Sequence, residues 1–284
     1  MKKTQLLSFF NLLALAAQIA ATYLIQLRVI SEQNVADVSE LYNSLFTPAG
    51  LTFGIWGLIY SGLLLFCIYH FIMSARHGEF HHANIYTRRI GPWFILNNFG
   101  TIAWLYLWTN EMITFSVVFI FFQLITIIII HLRTGIHDPH SSVDLKVFTQ
   151  FPLSIYFGWL TFATVANTSV FLLASGWRGF GLHYTPLEWT RIIIGLTVFL
   201  TLMVIFARRN VLFGLVIIWG LWGIILKRKP INPALYADLI LTAWIGMAII
   251  ALSCIIQLIL NITAKEKSSF FPEVISSTDN ASSH

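Results

Sequence analysis

The chain has 284 residues, of which 57% are hydrophobic and only 10% charged, and its mean hydropathy is +0.77. A soluble domain carries about 25% charged residues; the length would allow one or two such domains, but no stretch is polar and long enough to build one. The formal charge of +5 does not gather in one basic stripe; lysines and arginines punctuate apolar runs, a pattern of membrane topology that sets nucleic acid aside.

Apolar runs near the roughly 20 residues that cross a bilayer occur at 6–27, 50–73, 91–108, 112–132, 148–175, 189–207, 211–226 and 237–260. The expectation is an all-α, polytopic transmembrane helical bundle of eight spans. Seven is the fallback, because 211–226 is short and only Arg208, Arg209 and Asn210 part it from its predecessor. The first run follows Lys2 and Lys3 like a signal peptide, but is longer than the roughly 7–15 residues of a signal core. It reads as an uncleaved span, although the alanine-rich stretch 14–21 leaves a cleaved signal open.

The loop 28–47, with Glu32, Asp37 and Glu40, is either a plain connector or holds a short helix over the mouth of the bundle. On the second span Phe53, Trp56 and Tyr60 share a face at steps of three and four; on the third, Trp93, Asn97, Gly100, Trp104 and Trp108 do the same. The fifth span carries Trp159, Ala163, Ala166 and Asn167 at such spacing: a large flat ring, two small residues, then an amide. Three aromatic faces could line a cavity for a flat, apolar, conjugated ligand. From periodicity alone a packed core is favoured.

Gln18, Asn97, Asn98, Gln123, Asn167 and Gln257 are intramembrane amides, whose ordinary role is hydrogen bonding between helices. No lysine, arginine, aspartate or glutamate stands mid-span, which argues against an ion-coupled pump or a retinal Schiff base. His77, His81 and His82, and His131, His137 and His140, flank spans without a metal-ligand spacing, so no metal site is assigned. Cys67 and Cys254 fall inside spans as small apolar residues. No nucleophile, general base or other catalytic residue is assigned. The positive-inside rule favours a cytoplasmic N-terminus, with eleven basic residues on that side and six on the other. Lys227, Arg228 and Lys229 contradict it. The tail 263–284 reads as disordered.

Two motifs carry a resemblance. Phe53-Gly54-Ile55-Trp56-Gly57-Leu58-Ile59-Tyr60-Ser61, with Pro48 upstream, and Trp159-Leu160-Thr161-Phe162-Ala163-Thr164-Val165-Ala166-Asn167 resemble the second- and fifth-span patterns of the tryptophan-rich sensory proteins, the TspO/MBR family that includes the translocator protein once called the peripheral benzodiazepine receptor. The third-span spacing of Asn97 and Asn98 to Trp104, the gap from Pro152 to Trp159, and the single Pro48 depart from the family pattern. The resemblance covers the first five spans, so the expected organisation is a five-helix TspO-like domain at 1–175, additional transmembrane helices at 176–262 and a polar tail at 263–284.

The resemblance implies a hydrophobic pocket under the first loop. Phe53, Ile55, Trp56, Trp104, Trp159, Ala163 and Ala166 would line it, Phe53 narrowing it, while Pro48, Tyr60, Asn97 and Asn167 would serve structure. It also implies ligands of the tetrapyrrole kind, such as protoporphyrin IX or heme, with no cofactor required. The expected function is a membrane ligand-binding sensor or regulator; the alternatives are a transporter of such ligands and a light-dependent porphyrin-degrading enzyme. Expected partners are the lipid bilayer, a small hydrophobic ligand and, through Gly50, Gly54 and Gly57, a homodimer. The expected location is a bacterial inner membrane.

Overall fold

The structure is a computed structural model describing residues 3–42, 44–135, 141–177 and 184–269. The described residues are helices and their connections: α1 (Lys3–Gln26), α2 (Val35–Leu41), a 3₁₀ turn (Gly50–Gly54), α3 (Ile55–Arg76), α4 (His82–Ile90), α5 (Trp93–Thr109) and α6 (Ile113–Thr134). There follow α7 (Val143–Leu145), a π-helical turn (Lys146–Gln150), α8 (Phe151–Ala174), α9 (Pro186–Arg208), α10 (Val211–Arg228) and α11 (Ala237–Ser269). The all-α polytopic bundle expected from the sequence is what forms.

Seven of these segments are long and apolar enough to cross a membrane. The stretch that looked too short, 211–226, forms the full helix α10. The short member is instead α5, 17 residues long, or about 26 Å at 1.5 Å per residue. It still traverses the bundle: α4, just before it, packs on α3 and α6, and at its far end Ser31 Oγ donates to the Thr109 carbonyl at 3.2 Å.

Local chemistry sets the breaks. Gly91 at φ +57°, followed by Pro92, separates α4 from α5. Thr185 and Glu188 form a capping box at the start of α9, with Pro186 in its first turn. Arg209, left-handed at φ 54°, and Asn210, whose side chain accepts from Phe213 N at 2.9 Å, turn α9 into α10. Pro152 has no N–H to give the turn before it, and the π-helical turn lies directly upstream. α7, that turn and α8 form one continuous apolar segment, Val143–Ala174.

Packing divides the helices into two groups. α1, α3, α8, α6 and α5 close a ring in which each touches its two neighbours, and α9, α10 and α11 pack on one another and dock through α10 onto α8. Glycines permit that docking: a Cβ on Gly220 would stand 2.5 Å from the Phe162 ring, and one on Gly158 2.9 Å from Val216. α11 continues past residue 263, correcting the boundary expected for a disordered tail; residues 270–284 lie outside the described residues, as do His137 and His140.

Candidate functional site

The loop after α1 is ordered by its own cap and by ties to the helices on both sides. Asn34 caps α2 by accepting from Ala36 N (2.9 Å) and Asp37 N (3.0 Å), and Asp37 answers by accepting from Asn34 N (2.8 Å) and pairing with Arg28 (3.0 Å). The loop is then tied across the bundle. Trp108 Nε1 donates to the Val35 carbonyl at 3.2 Å, Gln33 Nε2 to Glu111 at 2.9 Å and the Tyr42 hydroxyl to Glu111 at 3.4 Å. Burial, with the Glu111 carboxylate beside it, raises the Tyr42 phenol above its ordinary pKa. From the other side, Arg228 Nη2 donates to the Ser44 carbonyl at 2.5 Å, and Ala49 N to Gly223 O at 2.9 Å. The loop is therefore a lid containing a helix, not a plain connector.

Beneath it lies a cavity of about 40 Å³. α8 supplies its floor at helical spacing: Trp159, Phe162, Ala163, Ala166, Asn167 and Val170. The small Ala163 and Ala166 leave the room that larger residues would fill. Phe53 and Trp56 come from the 3₁₀ turn and α3, Trp104 and Trp108 from α5, and Val35, Ser39, Thr47 and Pro48 from the lid. The rings form a cage: Phe53 and Trp56 meet Trp159 edge to face at 6.0 and 6.2 Å, and Trp104 stacks on Trp108 at 6.0 Å.

Polar groups at the cavity divide into answered and unanswered. Trp104 Nε1 donates to Asn167 Oδ1 at 3.0 Å, and Asn167 Nδ2 to the Ala163 carbonyl at 2.9 Å, so Asn167 ties α8 to α5 while also facing the cavity. Trp159 is 2% exposed, yet its indole N–H has no acceptor among the described residues.

Six of the seven residues named as ligand-lining thus meet at one cavity: Phe53, Trp56, Trp104, Trp159, Ala163 and Ala166. Ile55 does not. It faces a separate crevice between α3, α8 and α10, because on a helix the residue before Trp56 points about 100° away. Of the structural set, Pro48 lines the cavity, and Tyr60 stacks on Trp56 at 5.1 Å with its hydroxyl 3.3 Å from Thr22 on α1. Asn97 joins three helices: it donates to Gln123 O (2.9 Å) and Thr126 Oγ1 (2.8 Å) on α6 and accepts from the Tyr156 hydroxyl (2.6 Å) on α8. Trp108, one helical step beyond Trp104, and Phe162, inside the fifth-span motif, were legible as lining. Val35, Ser39 and Val170 carried no such signal.

His70, His77, His81, His82 and His131 lie at the other end of the bundle. His77, His81 and His82 stack with ring centroids 4.2 and 4.0 Å apart, and His82 Nε2 lies 2.8 Å from Asp144. Among the described residues no group of three His, Cys, Asp or Glu residues is placed to hold a metal ion.

A lidded aromatic cavity in a ring of five helices, with seven candidate membrane spans among the described residues, defines an integral multi-pass membrane protein with an enclosed apolar site. Residues 8–256 match the TSPO-like protein family, and the chain belongs to that family. The match runs through α9 and α10 into α11, beyond the five-helix ring. No curated protein and no solved structure matches the chain.

Proposed function

We propose that the chain is a ligand-binding sensor or regulator whose cavity under α2 receives a flat, apolar, conjugated molecule of the tetrapyrrole class. The observation that carries this reading is the Trp159 indole N–H, buried at the wall of an aromatic cage without an acceptor. An unpaired buried donor costs about 1–3 kcal/mol, and a ligand with an acceptor on a stacking ring removes that cost. The cavity of about 40 Å³ is far below the roughly 300–1,000 Å³ of small-molecule pockets. Binding therefore needs the lid to lift and Phe53 and Phe162 to move, which supports a site that reports occupancy through its lid.

The test is a titration of protoporphyrin IX against tryptophan fluorescence in the purified protein. Saturable quenching is expected. Ala163→Phe, which fills the floor, should abolish it, and Trp159→Phe, which keeps a ring but removes the N–H, should weaken it about tenfold, near 1.4 kcal/mol. Unchanged affinity in both variants would sink the assignment.

A further inference from the structure

Lys227, Arg228 and Lys229 form a basic cluster on the side of the membrane where the distribution of positive charge does not expect one. Two of the three are already engaged. Arg228, 1% exposed, donates to the Ser44 carbonyl and lies over the Tyr236 ring at 5.8 Å, and Lys227 Nζ pairs with Glu40 at 3.5 Å. Lys229 is exposed and has no side-chain partner among the described residues. It continues the helical geometry of α10 at φ −57°, ψ −43°, so it extends one stripe of that helix: Leu212, Leu215, Trp219, Trp222, Leu226, Lys229, at steps of three and four.

The lower part of that stripe walls the crevice that receives Ile55. This crevice, about 510 Å³, is open to the side of the bundle and is walled by Leu51, Gly54, Leu58, Phe151 and Ile155 opposite Leu212, Leu215 and Trp219. Trp219 is fixed there by donating to the Thr52 carbonyl at 3.0 Å. From Trp219 to Lys229 is ten residues, about 15 Å of helix, which is half of a bilayer's roughly 30 Å hydrocarbon core. A tail lying in the crevice thus places a headgroup at the ammonium.

We propose that this crevice is a binding site for an anionic phospholipid, with one acyl chain between α3 and α10 and its phosphate on Lys229. The site is separate from the cavity under α2: the two share no lining residue. It also accounts for the misplaced positive charge, since two of the three residues hold the lid and the third holds a lipid.

The experiment is photolabelling in nanodiscs, using phosphatidylglycerol or phosphatidylcholine with a diazirine in the acyl chain, followed by peptide mapping. Label from phosphatidylglycerol should concentrate on 51–58 and 212–219, at least threefold above the lipid-facing surface of α6. Gly54→Trp should remove that excess. A Cβ at Gly54 meets nothing within 4 Å, so the side chain starts from open space at the crevice wall; Leu215→Trp gives the same test from α10, and thermal melting checks that both fold. Lys229→Gln should leave folding intact and erase the preference for phosphatidylglycerol over phosphatidylcholine. Even labelling around the bundle, or equal labelling by both lipids in the unaltered protein, would overturn the proposal. So would a homodimer in native mass spectra that Gly54→Trp dissociates, because a second copy would then occupy the crevice.

Discussion

Two buried groups, one near each end of the five-helix ring, are treated in opposite ways. Near α4, His70 is 1% exposed and both its nitrogens are answered: Nδ1 lies 2.9 Å from Thr87 Oγ1 and 3.1 Å from the Ala83 carbonyl, and Nε2 2.9 Å from Thr149 Oγ1. Next to it, Tyr69 donates to Asp144, which also takes His82. Near α2, a tryptophan just as buried has its N–H unanswered. A membrane interior punishes an unpaired polar group; Asn84 Oδ1 and His131 Nε2 near α4 also lack a partner among the described residues but line neither cavity, so it is the coincidence of an orphaned donor with a cavity wall at Trp159 that marks a site.

The largest test of that contrast is His70→Leu. It removes the hub of three elements and leaves the Thr87 and Thr149 hydroxyls without it, which should cost about 2–4 kcal/mol. A large drop in melting temperature is expected, with protoporphyrin affinity unchanged in whatever protein remains folded. Trp159→Phe should do the reverse: it breaks no hydrogen bond, and removal of an unpaired buried donor offsets the packing lost with the larger ring, so the melting temperature changes far less than in His70→Leu while affinity falls about tenfold. If the two variants gave the same pattern of loss, the division into a structural end and a ligand end would fail. Asn97→Ala lies between them in position and in size. Interhelical hydrogen bonds in membranes average about 0.6 kcal/mol, with a maximum near 1.7, so the loss of three should cost about 1–2 kcal/mol on thermal melting.

Much of this arrangement was legible in the sequence because it is periodic. The apolar runs located every long helix, and the tryptophan and small-residue stripes on three spans converge on one cavity. What escaped lacks a period or depends on distant partners. His70 sits alone in an apolar run, and its meaning comes from Thr87 and Thr149, both remote in sequence. The lid helix of seven residues is too short for an amphipathic signal, though its capping box, Asn34 with Asp37, is written in the sequence. Ile55 was placed by its position in the second-span motif, while helix geometry turns it to the other side of the chain. Arg228 looked like a loop cation, and only the approach of the lid shows what it holds.

The smallest effect tests the surface of the structural end. His81 stands outside the spans, between α3 and α4, with the rings of His77 and His82 against it and Asp144 acting on it from the start of α7. Partial burial, then the neighbouring His82 and His77, lower its pKa below the ordinary 6.5; Asp144 opposes them. The sign follows directly: between the lowered value and 6.5 the unfolded chain binds the proton more readily than the folded one, so stability falls as pH drops through that window and levels off below it. Melting temperature should therefore decline modestly from pH 7.5 toward acid, and His81→Gln should flatten that part of the profile. The Trp159 cavity has no titrating residue in its lining, so porphyrin affinity, measured at the same ionic strength with a ligand whose own charge is constant, should not follow the His81 curve. A parallel decline in both would mean that the two ends of the ring are coupled.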